Sequence, residues 1–200
     1  DIMNSIKNKV NEKIKEYSNE DYLDGYIKNE FLTEDGGANI LLRINSIDEL
    51  FDSRTYEKQL DLNQSIYNYI DDKSSMLDNS IELKLNIIGI NLESHEKEHI
   101  KHLLNEHYAI ELYKMQKKYN RNKKRIFRLL IIGVFFLICY AIISFAFESK
   151  FFIEIFGFLF SFTLWQAFEI LIYNLSDLRK EREVITQKLI MDVIFDYKAK

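Results

Sequence analysis

Residues 129–147 read LLIIGVFFLICYAIISFAF, nineteen positions without a charge, and residues 151–173 read FFIEIFGFLFSFTLWQAFEILIY after only Glu148-Ser149-Lys150. As a helix the first run spans about 28 Å, close to the roughly 30 Å hydrocarbon core of a bilayer. A helix on the surface of a soluble core keeps one polar face and has no use for so long an uncharged stretch. The two runs predict a two-helix transmembrane hairpin, with spans over about 127–147 and 151–173. Eleven of the fifteen Phe fall between Phe135 and Phe168, so the apolar character is local and the rest of the chain is charged.

The flanks orient this hairpin. From Lys114 to Arg128 there are eight basic residues and no acid, and Arg179, Lys180 and Arg182 follow the second run. The turn carries only Lys150, offset by Glu148. The positive-inside rule then expects both termini in the cytoplasm, in a multi-pass protein of a bacterial inner membrane. Lys117, Lys118, Arg121, Lys123, Lys124 and Arg125 are placed to meet anionic lipid headgroups of the bilayer, at about 1 kcal/mol per well-placed charge. Nucleic acid is not an expected partner, because only Tyr113 and Tyr119 interleave the basic block, too few for base stacking. The single cysteine, Cys139, excludes an intrachain disulfide and reads as a packing residue. Nothing at the N-terminus resembles a signal peptide; the chain opens at Asp1, as a trimmed or partial chain would. The absence of Pro and the wealth of Asn, Ile and Lys suit an AT-rich bacterial source.

The remaining chain reads as a small cytoplasmic α+β domain. Ile2, Ile6, Val10, Ile14 and Tyr17 recur at helical steps, so residues 1–35 form an amphipathic helix and a connection. Asp35-Gly36-Gly37 is a turn leading into a strand over 40–44, where Ile40, Leu42 and Ile44 alternate. A helix is expected over 61–76, and a strand over 81–88 with Ile81, Leu83, Leu85 and Ile87 facing one way. A helix beginning near Ser94 keeps its apolar spacing through Ile100, Leu104, Tyr108, Leu112, Met115 and Tyr119, and so runs on into the first span. After the second span, residues 176–187 read as a charged helix and 189–195 as a strand that returns to pair with 81–88. The expected organisation is therefore 1–35, an α+β domain over 36–125, the hairpin over 126–174, and a returning helix and strand over 175–200. The hairpin is thus inserted within the α+β domain.

The segment Arg43-Ile44-Asn45-Ser46-Ile47-Asp48-Glu49-Leu50-Phe51, then Leu60-Asp61 with Tyr69-Ile70, then Glu106-His107-Tyr108, form one set of short motifs. Leu164-Trp165-Gln166-Ala167-Phe168-Glu169-Ile170-Leu171-Ile172-Tyr173-Asn174 and Arg179-Lys180-Glu181 complete it. Over roughly residues 40–196 the chain resembles a widespread group of bacterial two-span proteins with a small cytoplasmic domain and no established activity. The resemblance implies the same domain plus hairpin. It departs at Gln166, where that group often has a basic residue.

Several residues stand out as candidate sites. Glu169 is an ionisable group within a span, a position that costs about 2.5–3.5 kcal/mol at mid-membrane and so points to function or to a partner. Gln166, Glu169 and Tyr173 share a helical face, and Arg128 lies at nearly the same depth as Glu169 when both are counted from the turn. The expected reading is an Arg128–Glu169 pair that fixes the hairpin; the alternative is an oligomeric cation channel with Glu169 lining the pore. Gly157 and Ser161 form a small-xxx-small pair suited to helix packing. His95-Glu96-Lys97-Glu98-His99 matches the H-E-x-x-H of zinc peptidases, with His102 extending the stripe as a weak metal candidate. Its charged surroundings suit an exposed helix start better than a cleft. His107 reads as a packing histidine. Lacking a catalytic set, the chain is expected to bind no cofactor and to be no enzyme. It is read as a scaffold, sensor or partner-binding protein that self-associates as a homo-oligomer and can engage a cytoplasmic protein.

Overall fold

The computed structural model describes residues 10, 12–13, 15, 24–27, 30–52, 60–146 and 150–196. Of the N-terminal amphipathic helix, Ile2, Ile6, Ile14 and Tyr17 lie outside the described residues, as do Glu148 and Ser149 of the turn. Val10 is helical and exposed. The chain divides into two compact units, one of Asp1–His107 with Gln187–Lys200 and one of Tyr108–Thr186. Both divisions fall inside helices.

The first unit is built on a three-stranded sheet of order β1-β2-β3, with β1 at Ala38–Arg43, β2 at Leu83–Ile88 and β3 at Asp192–Asp196. All neighbours run parallel, with Ile40 beside Leu85 and Leu85 beside Val193. Parallel strands need crossover connections, and these are right-handed almost without exception. Moving one way through the order β1-β2-β3, they place both connecting helices over the same face. Burial follows that rule. Ala38, Ile40, Leu42, Leu83, Leu85, Ile87 and Val193 are buried, whereas Leu41 and Ile194 on the opposite face are exposed.

The covered face is packed by α2 (Gln64–Ser74), which contributes Ile66, Tyr67 and Ile70, and by the first turns of α3 (Ser94–Ala146), which contribute Ile100, Leu103 and Leu104. A short helix α1 (Ile47–Leu50) adds Leu50. Asn63 caps α2 by accepting the Ser65 N–H at 3.1 Å. At the start of α3 the Glu96 carboxylate accepts the Glu93 N–H at 2.7 Å, satisfying one donor of the helix entrance.

The two strands expected first are present within two residues of their predicted ends. The returning strand pairs with β2 as expected but starts at Asp192 instead of residue 189, because α5 (Leu175–Leu189) keeps its helical turn longer. The cause is local. Gln187 donates to the carbonyls of Asp78 at 2.9 Å and Ile81 at 2.7 Å, and Lys188 Nζ meets Asp71 Oδ1 at 2.6 Å. These bonds hold the last turn of the helix, so the chain extends only beyond it.

Inside this unit Tyr67 stacks on His107, with centroids 3.7 Å apart and 11° between planes, and donates to Asp61 Oδ1 at 2.7 Å. Burial, then the Asp61 hydrogen bond and charge, push the Tyr67 phenol well above its ordinary 10.0. A raised folded-state value stabilises fully below the unfolded value and is lost as pH climbs above it. Stability should therefore fall above about pH 10 as the unfolded chain releases a proton that the fold retains. Tyr67→Phe should cost about 1–2 kcal/mol at neutral pH and flatten part of that alkaline loss. Denaturation midpoints measured at pH 8 and pH 11 check both effects.

Among the described residues, two helices that run through the second unit are long and apolar enough to cross a membrane. One is α3; the other runs from Lys150 to Leu189 and comprises α4 (Lys150–Glu169), a π-helical turn over Ile170–Asn174, and α5. Within this unit α3 and α4 pack antiparallel. A Cβ on Gly133 would lie 3.2 Å from Thr163 Oγ1, one on Gly157 would lie 3.6 Å from the Tyr140 ring, and Phe136 meets Phe156 at 6.2 Å.

Candidate functional site

The polar candidates gather at the end of the hairpin away from its turn, and the seam contacts fix where each lies. With Gly133 opposite Thr163, Arg128 is five residues below on one helix and Glu169 six below on the other. At the rise of an α-helix they are level to within about 2 Å. Rotation tells a different story. Counting the same residues at about 100° each turns Arg128 some 140° and Glu169 some 120° away from the seam. Both side chains are exposed, and no ion pair joins them. The expected intrachain clamp is therefore corrected: depth matches and direction does not. Gly133 faces Thr163 at the seam instead, the Thr163 hydroxyl sharing its proton between the Leu159 and Phe160 carbonyls of its own helix.

Gln166 is half-buried, and Tyr173 is exposed within the π-helical turn. There the Leu175 N–H reaches back to Ile170 O, five residues away, in place of the usual four. Turns of this kind gather at functional positions, and this one directly follows Glu169. The small-xxx-small pair divides: Gly157 packs on Tyr140 within the hairpin, while Ser161 is exposed and its hydroxyl returns to Gly157 O at 3.0 Å.

The basic residues lie on α3 itself. Lys117, Lys118, Arg121, Lys123, Lys124 and Arg125 are all exposed. Arg121, Lys123, Lys124, Phe127 and Arg128 line an open groove of about 500 Å³. Sequence reasoning missed the contact that braces this block. Arg182 of α5 donates to Gln116 Oε1 at 3.1 Å, and its guanidinium carbon lies 5.4 Å from the Tyr119 ring centroid. Lys123 Nζ lies 5.6 Å from the same centroid. Only the aromatic within a run of cations could have signalled it.

The histidine stripe has other partners. Glu96, the would-be general base, is engaged as the helix cap; His95 Nδ1 is 3.3 Å from Glu93 Oε2, and His99 tilts against Phe51 at 6.1 Å. His102 Nε2 lies 3.8 Å from Glu106. Among the described residues no three potential ligands converge for a metal. Such an arrangement suits an exposed helix entrance.

The site thus offers a band of exposed cations, an exposed carboxylate at the level of Arg128, and long apolar helix faces left uncovered. Comparison with family models, with curated proteins and with solved structures finds no match for the chain.

Proposed function

We propose that the chain is a two-span protein of a bacterial inner membrane that holds its sheet unit on the cytoplasmic side as a non-enzymatic scaffold, sensor or partner-binding module, working as a homo-oligomer. The observation that carries the reading is the uncovered apolar surface: only 6% and 17% of the most apolar windows of the two helices are buried by the protein itself. In water, surface of that extent seeks another apolar phase. The eight cations from Lys114 to Arg128 and the trio Arg179, Lys180 and Arg182 support an inward-facing open end with anionic lipid headgroups around it. Both strands that frame the insertion belong to one sheet, so the domain and the hairpin fold as covalently interleaved parts.

Alkaline extraction of membranes tests the reading. The protein should remain in the pellet and leave it only with detergent, and reporters fused to either terminus should be active only inside the cell. Release at alkaline pH, or a reporter on the outer face, would overturn it. A second reading, a small cation pore, is favoured by one feature alone: Glu169 is exposed with no ion-pair partner among the described residues. Cation flux into liposomes that is lost in Glu169→Gln would select that reading.

A further inference from the structure

We infer that Arg128 and Glu169 form reciprocal ion pairs between two copies of the chain. The inference rests on the self-associating reading above and names the surface through which it acts. Three observations meet here. The two residues carry opposite charge, they lie at the same level of the hairpin, and both turn away from the seam onto outer faces where neither finds an ion-pair partner among the described residues.

An oligomer whose two-fold axis runs along the hairpin leaves every residue at its own level. Only groups already level can then meet across the axis. It also sets α3 of one copy against α4 of the other, so the contact is isologous: Arg128 meets the partner's Glu169, and Glu169 meets the partner's Arg128. One geometric condition thus yields two bonds. The alternative neighbours are worse matched to Glu169. Lipid tails offer a carboxylate nothing, and anionic headgroups repel it. Arg128 has a competitor, since it also lines the groove with Arg121, Lys123, Lys124 and Phe127, where a lipid phosphate could be held. Glu169 does not, and its need for a cation decides the pairing. Guanidinium and carboxylate are geometrically suited to a bidentate contact, which fixes orientation as well as proximity.

Co-expression of two differently tagged copies, followed by co-purification in mild detergent, tests this. Wild-type copies should co-purify. Arg128→Glu paired with itself opposes Glu to Glu, and Glu169→Arg paired with itself opposes Arg to Arg; each should lose about tenfold of the captured partner. Arg128→Glu paired with Glu169→Arg restores both contacts and should recover capture. Should a reversed charge prevent insertion, Arg128→Lys keeps the charge and permits a carbodiimide-formed amide to Glu169. A covalent dimer joined by residues 128 and 169, absent in Arg128→Lys/Glu169→Gln, is the expected product. A 128–169 link found only within one chain would overturn the inference, as would equal capture in all combinations; in both cases association itself stands. Wild-type copies that never co-purify overturn the self-associating reading along with it.

Discussion

Gly89→Ala should destabilise the sheet unit by about 3 kcal/mol, and Gly36→Ala by about 1 kcal/mol. Both glycines have positive φ, +101° at Gly89 and +80° at Gly36. A side chain in that region costs on the order of 1–2 kcal/mol for backbone strain alone. They differ in what surrounds them. A Cβ at Gly36 would find nothing within 4 Å, whereas one at Gly89 would lie 2.7 Å from the carbonyl oxygen of Ile44. That oxygen belongs to backbone at the end of β1, held there because the Ile44 N–H donates to Ile88 O at 2.9 Å. It cannot yield without disturbing the pairing of β1 with β2. The difference between the two substitutions therefore isolates the clash from the strain. Thermal or denaturant melts of the purified protein, followed by circular dichroism, read both. Equal losses at the two positions would show that the close approach to Ile44 carries no energy.

The elements of this chain are visible in its sequence because their patterns are local. Leu83, Leu85 and Ile87 alternate, and Ile100 and Leu104 keep helical spacing, so β2 and the start of α3 can be read directly. The sense of the strands cannot: alternation reports which side chains share a face, not whether the neighbouring strand runs with or against it. The end of α5 escaped for a different reason. Leu189 and Met191 fit an alternating strand as well as they fit the tail of a helix, and the choice is made by Gln187 and Lys188 bonding to residues over a hundred positions earlier. At the hairpin, counting residues from the turn placed Arg128 and Glu169 at the right depth, since rise depends only on number. Their faces depend on which residues form the seam. Gly133, one glycine in a run of large apolar side chains, gave no sign that it faces Thr163 at the seam. The π-helical turn after Glu169 is likewise silent in sequence, as ILIYN would serve equally in an α-helix.

Gln187→Met should cost the sheet unit about 2–3 kcal/mol, and Gln187→Glu more at neutral pH. The Gln187 side chain is buried, and its amide nitrogen donates to the Asp78 carbonyl at 2.9 Å and the Ile81 carbonyl at 2.7 Å. Asp78 O also receives the Ile81 N–H at 3.1 Å, so it keeps a bond when the amide is lost. The Ile81 carbonyl stands to lose more: the bond is part-buried, and an acceptor deprived of its donor away from water costs about 1–3 kcal/mol. Methionine matches the side chain in length and removes both donors. It also removes the buried Gln187 Oε1, which has no hydrogen-bond partner among the described residues, and this gain trims the loss. For a unit of this size the midpoint should fall by roughly 10 °C. Glutamate presents a carboxylate to two carbonyl oxygens, so burial and repulsion must raise its folded pKa above the ordinary value near 4.3. A raised value means that the favourable contribution is present below the unfolded pKa and vanishes as pH rises. Gln187→Glu should accordingly be less stable than Gln187→Met at pH 7. The gap should close toward pH 4, where the protonated acid regains one O–H donor for the Ile81 carbonyl. A Gln187→Glu variant whose stability ran parallel to that of Gln187→Met across this range would mean that residue 187 meets solvent, and that its amide does not hold the last turn of the returning helix.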